Sequence, residues 1–289
     1  MVFRFFTRTF APTSNSLLAV PSFKISACIA EHIGDRPEQQ DRVALLTSSR
    51  HPGGLLAVVA DGMGGRTGGR MAADQVISTA KHLFAELSEQ DLNLQQLLLQ
   101  IANEAHTIIR LSAIASEKEP HSTFVGLIVK RDRAVWAHSG DSRLYFFRDG
   151  QLMHRTLDQT YASHLAAEGK VEEAEIASQK YKNILVSALG IERDPTVAVG
   201  EAHDLEVGDA FLLCCDGLWS YFEDYELGGL LCDLPPREAS AQLIGMARER
   251  AQGRGDNLSL AIVKLDSPNA NRSALADDDL DGLVGPGLY

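Results

Sequence analysis

Four aspartates stand beside glycines at the ends of apolar runs. Asp61 closes LLAVVA, Asp141 follows VWAHS and Gly140, Asp216 follows FLLCC, and Asp256 precedes Asn257 and LSLAIV. Residues 55–60 and 211–215 are apolar enough, without a break, to read as buried strands. A carboxylate ending such a strand is carried to the sheet edge. The adjoining glycine lacks a Cβ, so the chain can turn sharply there or approach a ligand closely. Repeated four times, the pattern predicts one oxygen-rich metal site gathered from distant segments. Asp149-Gly150 and Gly208-Asp209 are the same dipeptides among polar neighbours, and read as turns.

Charge sets the number of ligands. Two divalent cations about 4 Å apart repel by roughly 4 kcal/mol even at the dielectric of water. Asp41, Asp61, Asp216 and Asp256 would supply four negative charges against four positive ones. Ligands that are all oxygen, with no His or Cys, select hard ions, Mg²⁺ or Mn²⁺ over Zn²⁺. Such a pair activates a bridging water and clamps a phosphoryl group. His82, His106, His154 and His164 lack ligand spacing and read as surface or satisfied core positions.

The elements that must position these residues follow from periodicity. Strands are expected at FKISACIAEH, RVALLTS and LLAVVA, with HPGG (51–54) as a turn. Ala72, Val76, Ala80, Leu83, Phe84 and Leu87 fall on one face of a helix; Leu94, Leu97, Leu98, Ile101, Ala105, Ile108 and Ile109 mark a second. TFVGLIVK, RAVWAHS and RLYFFR read as strands, with an Asp149-Gly150 hairpin into QLMHRT. Residues 158–195 are polar and read as an inserted flap. TVAVGEA and AFLLCC return to the core as a strand pair, then a helix near Pro236–Ala251 precedes the strand LSLAIVKL. Paired helices among many strands favour two sheets with helices outside.

With 289 residues, 45% hydrophobic and 23% charged, the composition suits a soluble globular domain. The expected organisation is a loose N-terminal arm over 1–22, one domain over 23–266 with the flap at about 158–195, and an acidic disordered tail over 267–289. No apolar run approaches the ~20 residues of a membrane span. Cys28, Cys214, Cys215 and Cys232 lack zinc spacing and read as buried packing thiols in a reducing, cytoplasmic compartment. A net charge of -12 argues against a nucleic-acid partner.

These segments resemble the metal-dependent PPM (type 2C) Ser/Thr protein phosphatases over about 23–265, with the motifs in the family's order. They are Arg36-Pro37-Glu38-Gln39-Gln40-Asp41, Asp61–Gly65 (DGMGG), Gly140-Asp141-Ser142-Arg143, Cys215–Trp219 (CDGLW) and Gly255-Asp256-Asn257. The resemblance implies an α+β fold, a four-layer α-β-β-α sandwich of two antiparallel sheets flanked by helix pairs. It implies that Asp61 bridges two Mn²⁺ or Mg²⁺ ions, that the Gly62 carbonyl binds one of them, and that Asp216 and Asp256 complete the other ion's shell. Asp41 and Gln40 would support the second ion, Arg36 the substrate phosphate, and Asp141 with Asp216 a weaker third metal.

The chain also departs from that pattern. Gln39 replaces the usual Asn, and Gln40 is neutral where many members carry Glu, which implies weaker affinity at the second ion. Met63 stands where animal members have a histidine proposed as general acid. Asp158-Gln159-Thr160 replaces a common Asp-His-Ser. The function implied is hydrolysis of phosphoserine and phosphothreonine in proteins by direct attack of activated water, by a monomer opposing a Ser/Thr kinase. The alternatives are a non-catalytic phosphoprotein-binding relative, which the intact aspartates disfavour, and another two-metal hydrolase such as a nuclease, which the acidic charge disfavours.

Overall fold

A computed structural model describes residues 6–10, 23–48, 51–86, 93–116, 119–130, 132–172, 175, 180 and 184–268. Strands β1 (Phe6–Phe10), β2 (Lys24–His32), β9 (Arg143–Arg148), β10 (Gln151–Arg155), β12 (Asp209–Cys214) and β13 (Leu258–Asp266) make one sheet. Its order is β1-β2-β13-β12-β9-β10, every neighbour antiparallel. Strands β3 (Arg42–Ser48), β4 (His51–Ala60), β7 (Phe124–Lys130), β8 (Arg133–Ser139) and β11 (Ala198–Ala202) make a second antiparallel sheet, ordered β11-β8-β7-β4-β3. A short ladder pairs β5 (Gly62–Met63) with β6 (His121–Ser122). Helices α1 (Gly65–Glu86) and α2 (Leu94–Ser116) cover the five-stranded sheet. Helices α5 (Asp224–Asp233) and α6 (Pro236–Ala251) cover the other. The four-layer sandwich expected from the sequence is therefore the fold.

The unbroken apolar runs follow from this layering, because both faces of each central strand are buried. Along β4, Leu55, Ala57 and Val59 fill the space between the sheets, while Leu56, Val58 and Ala60 meet α1 and α2. Along β12, Phe211 and Leu213 point between the sheets, and Ala210, Leu212 and Cys214 meet α5 and α6. Runs packed this way carry their terminal aspartates to fixed places.

Several expectations are corrected. Residues 51–54 are not a turn; they belong to β4. The register steps from Thr47↔Leu55 to Ser48↔His51, so the Pro-Gly-Gly segment is absorbed as a bulge, which glycine tolerates. TVAVGEA and AFLLCC do not pair: β11 ends the five-stranded sheet and β12 lies inside the other. Within the arm expected to be loose, Phe6–Phe10 pairs with β2; the rest of 1–22 and the tail from 269 lie outside the described residues, as does Leu87. Helix α5 escaped the sequence reading because Gly228-Gly229 interrupts it. Its signal was the Glu223/Glu226 capping box, with Leu227 and Leu231 buried beneath. In the flap, helix α3 spans Tyr161–Ala167, capped by the Thr160 hydroxyl. Asp149 and Gly150 both have positive φ, as a two-residue hairpin requires. Among the described residues no helix is long and apolar enough to cross a membrane.

Candidate metal centre

The aspartates meet at one end of the sandwich, where loops from both sheets converge. Asp41 precedes β3, Asp61 ends β4, and Asp141 follows β8, all on the five-stranded sheet. Asp216 follows β12 as the first residue of the short helix α4 (Asp216–Trp219), and Asp256 precedes β13, both on the six-stranded sheet. Asp61 is fixed by its backbone: its N–H donates to Thr123 Oγ1 at 2.9 Å, and its carbonyl accepts the Thr123 N–H at 2.9 Å. Asp41 is buried, with Oδ2 accepting from the Ser259 hydroxyl at 3.0 Å.

These carboxylates feel one another. Burial pushes Asp41 up to about 7, with the charges of Asp216 and Asp256 adding to it. Burial likewise raises Asp141 to about 7, helped by Asp216 and Asp158. Asp61 is held well above the usual carboxylate range by desolvation, then by Asp41, Asp216, Asp141 and Asp256. A cluster of buried like charges is costly unless a cation offsets it. Arg143 is committed to Asp158 by two hydrogen bonds of 2.7 and 2.8 Å. Arg36 reaches Asp256 Oδ2 at 2.6 Å, in an exposed pair worth little on its own. Among the described residues, no three acidic, His or Cys side chains form a closed ligand set. The donor chemistry fits a hard divalent cation: oxygen-only, buried and in excess negative charge.

Glycines let these loops touch backbone to backbone. A Cβ on Gly62 would lie 2.6 Å from the Gln40 carbonyl oxygen, and one on Gly217 would sink into the Asn257 carbonyl while standing 3.3 Å from the Asp256 Cβ. Asn257 then ties the whole 33–40 loop. Its Oδ1 accepts the Gln40 N–H at 2.8 Å, and its amide donates to the carbonyls of Ile33 and Glu38 at 2.8 and 3.0 Å. The sequence pointed to Asn257 only as a motif letter; every polar atom of its amide is spent on positioning. Gln39 is spent similarly, donating to the His32 carbonyl at 3.2 Å and accepting the Asp41 N–H at 3.2 Å.

The flap root is pinned to the Asp141 loop. Gln159 exchanges two 3.0 Å bonds with Gly140, one through its backbone N–H and one through Oε1. Arg143, held by Asp158, stacks 3.4 Å over the Trp219 ring, whose Nε1 donates to the Asp141 carbonyl at 3.0 Å. Asp158-Gln159-Thr160 thus joins the flap to the helix that carries Asp216. Cys215 is no nucleophile: burial pushes its thiol well up, and it accepts the Ser259 N–H at 3.2 Å. Of the dismissed histidines, His82 and His164 pair with Glu86 and Glu168 on helix surfaces, His106 accepts the Gly190 N–H at 3.0 Å, and His154 lies 4.9 Å from the Trp136 ring.

Comparison with known proteins places the chain among protein phosphatases. A family profile described as Protein phosphatase 2C matches residues 30–239. The serine/threonine protein phosphatase PstP of Mycobacterium tuberculosis is 32% identical over 223 residues, covering 74% of this chain and 41% of the relative. A putative protein phosphatase 2C-type of Streptococcus pyogenes is 29% identical, covering 73% of this chain and 86% of that one. The chain therefore spans about two fifths of the mycobacterial relative's length. Among solved structures, the M. tuberculosis PstP/Ppp phosphatase superposes with a TM-score of 0.70 at 27% identity, covering 84% of this chain and 99% of that one. The PstP catalytic domain in complex with two manganese ions gives 0.68 at 26% identity, covering 84% and 98%. With the family profile matching residues 30–239, well over half of the sequence, the chain belongs to the protein phosphatase 2C family.

Proposed function

We propose that this protein is a metal-dependent phosphatase that hydrolyses phosphoserine and phosphothreonine in proteins. The observation that carries the reading is the convergence of five aspartates from both sheets, in which burial and mutual repulsion outweigh the opposing charge of Arg143 near Asp141. Asp41, Asp61, the Gly62 carbonyl, Asp216 and Asp256, with Gln40 in support, would hold two Mn²⁺ or Mg²⁺ ions, and Asp141 with Asp216 a third. When bound, such ions activate the attacking water and neutralise the phosphoryl oxygens. The chain's own part is positional. The Thr123 bonds hold Asp61, Asn257 holds the loop of Arg36 and Gln40, and the Arg143–Trp219 stack holds Asp141 beside α4. Arg36, half-exposed at the rim, offers its planar fork to a phosphate in exchange for Asp256. The cysteines are free, with Cys28, Cys214 and Cys215 buried and Cys232 exposed rather than packed in the core as expected, in keeping with a reducing compartment; there the protein would act as a monomer opposing a Ser/Thr kinase.

Hydrolysis of p-nitrophenyl phosphate and a phosphothreonine peptide with Mn²⁺, with and without chelator, tests the reading. Turnover should appear with Mn²⁺ and vanish with chelator; no turnover with Mn²⁺, or undiminished turnover in Asp216→Ala, would reject it. Arg36→Ala should raise KM about tenfold with kcat little changed, the size of a lost charge-assisted hydrogen bond. A collapse of kcat at constant KM would place Arg36 in the transition state instead.

A further inference from the structure

Arg36 stands at the exposed apex of the loop between β2 and β3, where residues 35–37 are open to solvent. Asn257 ties that loop on its flanks, at Ile33, Glu38 and Gln40. A long side chain on an untethered apex would have to be ordered each time it gripped a phosphate, and ordering costs affinity. The apex is tethered by another route. Asp35, the residue before Arg36, exchanges two hydrogen bonds with Gly255, the residue before Asp256. Its N–H donates to the Gly255 carbonyl at 2.9 Å, and its Oδ2 accepts the Gly255 N–H at 2.7 Å. Gly34, with φ 66°, lies so close to the Asp256 carbonyl that a Cβ there would collide with it. The two loops therefore run against each other. They bring the phosphate arginine and a metal-site carboxylate together, with Arg36 Nη2 donating to Asp256 Oδ2 at 2.6 Å.

What holds Asp35 comes from outside the site. Arg248, in the last turn of α6, closes a fork on it: Nη1 donates to Oδ2 at 2.6 Å and Nη2 to Oδ1 at 2.7 Å. The Arg248 Nε is buried without a hydrogen-bond partner among the described residues, so Asp35 alone fixes the plane of the guanidinium. Two parallel bonds of this kind restrict direction as well as distance. Arg248, and after it the Gly255 N–H, hold the Asp35 carboxyl down at about 2, so the pair is ionised at neutral pH. Its side chains are 23% and 26% exposed, and an ion pair at the surface adds little to stability. The contribution of this one is geometric.

We propose that Arg248 is a positioning residue for phosphate binding: acting through Asp35, it holds the Arg36 fork toward the carboxylate cluster. The role rests on the reading of Arg36 given above. Among the described residues the hydrogen bonds of the Arg248 side chain end at Asp35, so its influence on the site passes through that carboxylate. Without the fork, the segment 33–36 is freed at its apex, and Arg36 must be ordered anew for each phosphate it meets. Asp256 keeps its place at the start of β13.

Arg248→Met keeps the apolar stem and removes the fork. With Mn²⁺ it should raise KM about fivefold on a phosphothreonine peptide and on p-nitrophenyl phosphate alike, because both carry the phosphate, while kcat changes less than about twofold. Asp35→Asn, which keeps an acceptor for the Gly255 N–H, should raise KM in the same direction. Arg248→Lys keeps a charge but not a fork, and should restore no more than about half of the loss. The deciding measurement is a double-mutant cycle. In an Arg36→Ala background, Arg248→Met or Asp35→Asn should change KM by less than about 1.5-fold, because the group they position is gone. A KM rise that adds in full to that of Arg36→Ala would mark a general structural fault and overturn the role, as would an unchanged KM in both single variants. In chelator, Arg248→Met should quicken hydrogen exchange at the Asp35 and Gly255 amides at least about tenfold; unchanged exchange would show that the loops are held without it. Failure of the underlying reading is separable: no turnover by the natural chain, or no change of KM in Arg36→Ala, would reject that reading and this role with it.

Discussion

Asp61→Asn is expected to lower kcat on a phosphothreonine peptide by at least about 10³-fold, the scale on which single preorganised electrostatic contacts act. The backbone bonds to Thr123 survive the change, so the loss belongs to the carboxylate. The same substitution should stabilise the metal-free protein. Asp61 lies within reach of the charges of Asp41, Asp216, Asp141 and Asp256, and burial with their repulsion raises its carboxyl well above the usual range, so its charged form is costly in the absence of a cation. Relief of even 1 kcal/mol raises the melting temperature by about 2–4 °C in a domain of this size. Calorimetry in chelator should show that rise, and calorimetry in Mn²⁺ should show a smaller metal-dependent gain than the natural chain. A melting temperature several degrees lower in chelator would mean that the carboxylate supports the fold rather than strains it. Active sites that trade stability for charge behave in the first way.

Gly217→Ala should be the most damaging small substitution. The added methyl would overlap the Asn257 carbonyl, which is backbone and has no rotamer to yield. Separating α4 from the start of β13 moves Asp216 relative to Asp256, and a misplacement of about 1 Å costs on the order of 10²-fold in rate. Overpacking adds about 1–3 kcal/mol of destabilisation. Gly229→Ala is the control, since nothing lies within 4 Å of its Cβ and it is exposed inside α5. It should keep full activity and gain up to about 1 kcal/mol from helix propensity. Equal activity in the two variants would show that the α4–β13 contact does not set the carboxylate geometry.

Asp61, Asp141 and Asp216 could be read from the chain because each follows an apolar run, and Asp256 because it leads into one; the runs are apolar on both faces because two layers cover them. The helix stripes of α1, α2 and α6 were legible for the same reason. What could not be read depended on partners distant in sequence. Pro52-Gly53-Gly54 looks like a turn until β3 supplies a register that makes it a bulge. Gly228-Gly229 looks like a helix break until the Gly150 carbonyl is found against Gly228, where a side chain would collide. Asn257 and Gln39 look like motif letters until the carbonyls they satisfy are known.

Strand β13 is the last strand of the domain in chain order, yet it lies inside its sheet, bonded along its length to β2 on one side and β12 on the other. During synthesis, the edge of β2 that faces away from β1 must wait for a partner more than two hundred residues downstream, and such distant pairings form slowly. Asp41 and Asp61 leave the ribosome early, whereas Asp256 arrives with the strand that zips the sheet shut. A nascent chain stalled before that point would carry four of the five aspartates, with Asp216 at the end of a strand whose sheet is still open. Assembly of the carboxylate cluster is thereby tied to completion of the sheet that holds β13.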